Sequence, residues 1–252
     1  MKKMLTMAAA ALLAVSYSTQ SLADSCEQLP SYQTLQTHLR TVVPAAGGIN
    51  GPNGGLGFPM WLTVIDGSGR VCAVTNSLQN GGDPTADIWL GSRVISAQKA
   101  NTANSFSIGG LSLSTANLYS AVQPGGSLFG LQESNPVDTS VAYGGNANGY
   151  GLPNDPMVGK RVGGINVFGG GLTLYRNGRK VGAIGVSGDT SCTDHVVAWK
   201  VRSLLAMGGV PAFGNFDKMF QDIVAGVSAS GFGHPTCLNN PGADKDGGSI
   251  VH

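Results

Sequence analysis

Apolar side chains recur at helical spacing at Tyr32, Leu35, Leu39, Val42 and Val43, and the run stops at Pro44 with Gly47-Gly48 behind it. This predicts a first helix followed by a Gly/Asn loop over 47–57. Residues 58–65 and 70–76 read as two strands joined by the tight turn Asp66-Gly67-Ser68-Gly69. After a Gly/Pro/Asn loop over 77–84, with Thr85 as a possible cap, Ile88, Leu90, Val94, Ile95 and Ala97 mix with Arg93 and Lys99. That pattern predicts a long helix from Ala86 to about Phe106. Residues 172–176 and 180–187 flank Asn177-Gly178, the strongest short hairpin signal. Asp189 or Thr193 is placed to cap a helix reaching about Met207. A last helix from Asn215 is expected from Phe216, Met219, Phe220, Ile223, Val224 and Val227. The tail from Gly231 to His252 is expected to be held only near Cys237.

Between the second helix and the second hairpin the periodicity fails. From 101 to 159 the only charged side chains are Glu133, Asp138 and Asp155, among many Gly, Ser and Asn. A segment this long without regular structure is either functional or disordered. Composition agrees with a loop-rich but folded chain. Of 252 residues 39 are Gly and 12 Pro, yet 42% are hydrophobic and the formal charge is +1, so neither collagen-like nor charge-driven disorder fits.

The first residues look like an export signal. Lys2 and Lys3 precede an apolar run from Met4 to Val15, and Ser21-Leu22-Ala23 offers small residues for cleavage, so 1–23 is expected to be removed. The run is short of the roughly 20 residues of a membrane span. A periplasmic or secreted location follows, and with it disulfides among Cys26, Cys72, Cys192 and Cys237. Four cysteines allow three connectivities, which the sequence does not choose among; Cys26–Cys72 with Cys192–Cys237 is the working assumption.

Catalytic motifs are scarce. Gly185-Val186-Ser187-Gly188 lacks the spacing of a nucleophile elbow, and there is no H-E-x-x-H, P-loop or C-x-x-C. Lys and Arg do not cluster, which argues against nucleic acid. Asp189 and Asp194 are explained by capping a helix start. Of the histidines, His234 and His252 are expected in solvent and His195 on a helix surface. His38 borders the apolar face of the first helix, three residues after Leu35 and four before Val42, where an imidazole can serve iron.

Two segments carry a resemblance. Ser96-Ala97-Gln98-Lys99-Ala100-Asn101-Thr102-Ala103-Asn104-Ser105-Phe106 resembles the A-x-x-K-A-x-T-A-x-x-F helix of the GlcG/HbpS family. Gly182-Ala183-Ile184-Gly185-Val186-Ser187-Gly188-Asp189-Thr190, with Asp194 beyond, is similar to its G-A-I-G-V-S-G-G-T…D signature. The hairpin from Trp61 to Asp66 and then Gly69 also fits the family's first strand pair. The likeness covers 31–76, 86–106 and 169–210, with an insertion at about 107–168. The chain departs from the pattern at Asp189 (usually Gly), at His195 (usually acidic), in the cysteines, in the insertion and in the C-terminal helix.

The resemblance implies an α/β (α+β) domain over 24–213: a profilin-like antiparallel sheet of about five strands with flanking helices, followed by a C-terminal helix and tail over 214–252. It also implies a homo-oligomer, and haem b or a related tetrapyrrole as cofactor and partner. His38 is then the iron ligand, and Lys99, Thr102, Phe106, Ser187 and Gly188 line or support the pocket. The expected function is haem sequestration, storage or sensing by an exported protein. The alternative is a periplasmic scaffold that acts through the Gly-rich insertion without a cofactor. An enzyme ranks last, because no nucleophile–base pair is visible.

Overall fold

The computed structural model describes residues 25–44, 51–79, 82–209 and 217–237. The expected export signal, His252 and the start of the expected last helix at Asn215 and Phe216 lie outside them. In chain order the elements are α1 (Tyr32–Val42), β1 (Trp61–Asp66), β2 (Val71–Asn76), α2 (Gly91–Phe106), α3 (Thr139–Ala142), β3 (Gly171–Arg176), β4 (Arg179–Ser187), α4 (Ser191–Leu204), β5 (Ile223–Val224) and β6 (Val227–Ser228). Four strands form the main antiparallel sheet in the order β2-β1-β4-β3, and β5-β6 is a separate hairpin. The register pairs Val64 with Ala73 and with Ile184, and Leu172 with Ile184.

Every residue of β1 is buried, because both faces of the sheet are covered. On one face Leu62, Val64, Leu172, Leu174, Ile184 and Val186 meet Leu35 and Leu39 of α1 and Val197 and Val201 of α4. On the other, Trp61, Ile65 and Ala183 meet Val94, Ala97, Ala100 and Ala103 of α2. The period-2 alternation of the strands sends neighbouring residues to these two cores.

Helix α2 lies against the sheet backbone itself. A Cβ on Gly185 would stand 1.9 Å from Ser96 O, and one on Gly171 would stand 2.4 Å from Lys99 O. The alanines of α2 and these two glycines therefore form one requirement, a helix packed at minimal distance.

Several boundaries differ from the sequence reading. Helix α2 starts at Gly91 rather than Ala86, because Asp83 holds the preceding residues in a turn: its Oδ1 accepts from Thr85 N at 2.8 Å and from Thr85 Oγ1 at 2.7 Å. Thr85 thus donates to a turn and caps nothing. The cap of α4 is Thr190, whose side chain accepts from Thr193 N, in place of Asp189 or Thr193. Among the described residues no helix follows Asp217. Ala225 and Gly226, with φ of 49° and 81°, make the tight turn of the β5-β6 hairpin. Asp222 then accepts from Ser228 Oγ at 2.7 Å and from Ser230 N at 2.7 Å.

The charge-poor stretch is ordered by short 3-10 turns and by one buried ion pair. Arg93 of α2 donates from Nε to Asp155 Oδ2 at 2.9 Å and from Nη1 to Ala142 O at 2.9 Å, while its second amino group pairs with the other Asp155 oxygen. Its guanidinium lies 3.7 Å from the Tyr150 ring centre. Asp155 also accepts from Gly151 N and Met157 N, so a single carboxylate gathers the loop around the arginine.

The described segment 217–237 is held at more places than Cys237. Asp217 forms a buried ion pair with Arg202, Asn117 Nδ2 donates to Lys218 O, and Ser120 Oγ donates to Gly233 O at 2.7 Å. Disulfides join Cys26 to Cys72 and Cys192 to Cys237, across 46 and 45 residues. Loops of this size contribute about 4 kcal/mol each in the chain-entropy account.

Candidate functional site

The turn from β4 into α4, Ser187 to Thr190, gathers polar groups from three parts of the chain. The Asp189 carboxylate accepts from Leu56 N at 3.0 Å, Phe58 N at 3.0 Å and Thr190 N at 2.5 Å, which folds the loop before β1 around it. Gly55 is required there. With φ of +69°, a Cβ on it would lie 2.3 Å from Asp189 Oδ1. Asp194, in the first turn of α4, accepts from Asp189 N at 2.9 Å through Oδ1. Its other oxygen lies 2.6 Å from Lys99 Nζ, which also donates to Val186 O at 3.0 Å and to Ser187 Oγ at 3.3 Å.

Lys99, Ser187, Asp189 and Asp194 are all buried. Burial pushes the Asp194 carboxyl up to about 6, with the Lys99 ammonium opposing that rise, and burial likewise pulls Lys99 below the usual lysine range. The cluster ties α2 to α4 around the end of the sheet.

The expected site residues fall into two places. Lys99 and Ser187 are bonded to each other, and Gly188 follows, with Pro59 O 2.4 Å from where its Cβ would be. Thr102, one turn along α2, donates to Gln98 O at 2.8 Å and accepts from Asn166 N at 3.0 Å. Phe106 packs beside Leu118, Val122, Ile165 and Val167 of the insertion. His38 is on the other side of the sheet, half-buried on α1.

On the flank of α1 that carries His38, Thr41 and Val42 stand three and four residues further on. They line a groove of about 460 Å³ together with Pro44, Pro52, Lys200, Ser203 and Leu204. Lys200 Nζ donates to Pro52 O at 3.0 Å and to Asn53 Oδ1 at 2.8 Å, so its cation sits at the rim on a fixed stem.

The other described histidines are interior, contrary to the expectation of solvent exposure. His195 is fully buried, and neither ring nitrogen has a hydrogen-bond partner. Burial pulls it down to about 3, so the ring is neutral. His234 is 5% exposed and bonds Ser191 Oγ at 2.7 Å through Nε2 and Pro235 O at 2.8 Å through Nδ1. Their burial comes from the insertion and tail closing over the start of α4: Gly169 lies so near that a Cβ would be 3.0 Å from His195 Cβ. No local pattern around residue 195 reports that cover.

Among the described residues no helix is long and apolar enough to cross a membrane. The chain is similar to the uncharacterized 15.0 kDa protein in the dhaT-dhaS intergenic region of Citrobacter freundii, with 34% identity over 143 residues, which cover 57% of this chain and 73% of that protein. Among solved structures, the Klebsiella pneumoniae protein ORFY is 23% identical with a TM-score of 0.45, covering 78% of this chain and 98% of its own. A double mutant of Streptomyces reticuli HbpS is 16% identical with a TM-score of 0.46, covering 79% and 99%. PduOC, solved as a haem complex, is 20% identical with a TM-score of 0.47, covering 71% and 94%. The family model described as haem degrading protein HbpS-like matches residues 54–203, from the loop around Asp189 to the last turn of α4. With that match over more than half its length, the chain belongs to the HbpS-like family.

Proposed function

We propose that this is an exported haem-binding protein in which His38 supplies the axial imidazole. The observation that carries the reading is the family match over 54–203. The residues on α1 and α4 fit the group. Haem calls for an accessible neutral donor, apolar walls and a cation for its carboxylates. His38 is the one histidine among the described residues that is not buried, and Val42, one turn further along α1, lines an apolar groove with Pro44, Pro52 and Leu204. Lys200 stands at the rim of the same groove as the counter-charge. When bound, the group brings a redox-active iron.

In this reading Lys99, Ser187 and Asp194 support the pocket from behind, by fixing the start of the helix that forms one wall. Residues 1–23 direct export and are removed. Titrating the purified protein with haemin produces a Soret band, and His38→Ala weakens binding at least tenfold. Absence of any Soret change in the wild type at micromolar haemin overturns the binding, and an unchanged His38→Ala titration overturns the ligand.

A further inference from the structure

Beneath the tail, four soft or borderline donors converge on one point remote from the α1 groove. Met219 Sδ is 3.8 Å from Cys192 Sγ and 3.7 Å from Cys237 Sγ. His234 Nδ1 is 3.9 Å from Cys192 Sγ, and the two cysteine sulfurs and the histidine all lie within 4.8 Å of one another. Cys192, Met219 and His234 are buried and Cys237 is half-buried, which leaves an approach from the tail side.

The spacing fits a metal. A tetrahedral ion with sulfur ligands at about 2.3 Å sets its donors about 3.8 Å apart. The contacts of Met219 to both cysteines, and of His234 to Cys192, already have that length. Only the Cys192–Cys237 pair is closer, and it is closer because the two sulfurs are bonded.

We propose that reduction of Cys192–Cys237 converts this cluster into a Cu(I) site of two thiolates, the Met219 thioether and the His234 imidazole. Thiolate with thioether is the donor set that selects Cu(I). Opening the disulfide takes two electrons and two protons, supplied by two equivalents of a small thiol that leave as their own disulfide. Each cysteine then releases its proton as Cu(I) takes the sulfur.

For Nδ1 of His234 to ligate, its contact with Pro235 O gives way and the ring proton sits on Nε2. There it donates to Ser191 Oγ, which is held in place by accepting from Gly169 N at 2.7 Å. A ligating histidine commonly has such an outer partner. The other sulfur cluster offers no comparable set. Its third member, Asp66, is a hard oxygen donor already committed to Ser68 and Arg70.

The test uses the full chain with Cys26→Ser and Cys72→Ser, so that one disulfide remains. The protein is reduced, freed of reductant without air, and mixed with the coloured Cu(I)–bicinchoninate complex. The reduced chain removes one Cu(I) per molecule and the oxidised chain removes none. Met219→Leu, a swap of similar volume, weakens the competition at least tenfold. Where the serine pair does not fold, Met219→Leu in the otherwise natural chain gives the same comparison. No loss of colour with reduced protein overturns the site, and equal loss for Met219→Leu overturns the thioether assignment.

Discussion

Lys99 Nζ lies 2.6 Å from Asp194 Oδ2, with the lysine side chain fully enclosed and the carboxylate nearly so. Each charge is tolerable there only because of the other, since an unpaired ion at this depth has lost its water with nothing in return. Lys99→Met is expected to cost about 3–5 kcal/mol. The double variant Lys99→Met/Asp194→Asn recovers most of that, because the Asn oxygen still accepts from Asp189 N. Urea unfolding of the two variants and the wild type checks the order.

His195 makes stability depend on acid. The unfolded chain protonates this imidazole near 6.5 and the folded chain only near 3, so between those values acidification favours unfolding. The loss is about 1.4 kcal/mol per pH unit. Asp194 works the other way, because its folded value of about 6 lies above 3.8 and its contribution grows on acidification between the two. The histidine's window is wider, so the net effect of acid is destabilising. His195→Leu leaves the Asp194 contribution unopposed, so the unfolding midpoint is expected to rise on acidification between about 6 and 4, where the wild type is nearly level. At neutral pH it is expected to be stabilising by about 1–2 kcal/mol, since it removes two unpaired polar atoms from the core.

Gly185 and Gly91 are expected to respond oppositely to alanine. At Gly185 the new methyl meets Ser96 O at 1.9 Å and Ala100 N at 2.6 Å, both helix backbone, so α2 must lift from the sheet. A loss of about 3 kcal/mol or more follows. At Gly91, the first residue of α2, nothing lies within 4 Å, and the substitution gains up to about 1 kcal/mol of helix propensity. Thermal unfolding midpoints of the two variants separate the cases.

The strands, the first helix and the helix start after Ser187 were legible because each has a period and a stop signal: Pro44 after α1, Asn177-Gly178 between β3 and β4. The small residues of α2 and of 182–188 carry the resemblance in the sequence, and in the structure they allow the helix to lie against the sheet backbone. What the sequence could not show was cover supplied from far away. Arg93 and Asp155 are 62 residues apart and carry no local mark of their pairing. Arg202 and Asp217 are separated by 15, and the carboxylate lies within the segment from Asn215 that reads as a helix. Met219, Phe220, Ile223, Val224 and Val227 fit a period of 3.6, yet Ala225-Gly226 in their midst was the turn signal that decided the matter. His195 reads as exposed because a helix start beside an acid is ordinarily wet, and His234 because a tail loop ordinarily is.

The two disulfides close rings that do not overlap, one over 26–72 and the other over 192–237. No covalent bridge therefore spans the insertion. A single peptide cleavage between 107 and 168 divides the protein into two fragments, each keeping its own ring, which part on a denaturing gel even without reductant. Under native conditions they stay together through the pairing of β1 with β4 and the ion pair of Lys99 with Asp194. The protein is thus arranged to survive a nick as a non-covalent heterodimer of its own halves.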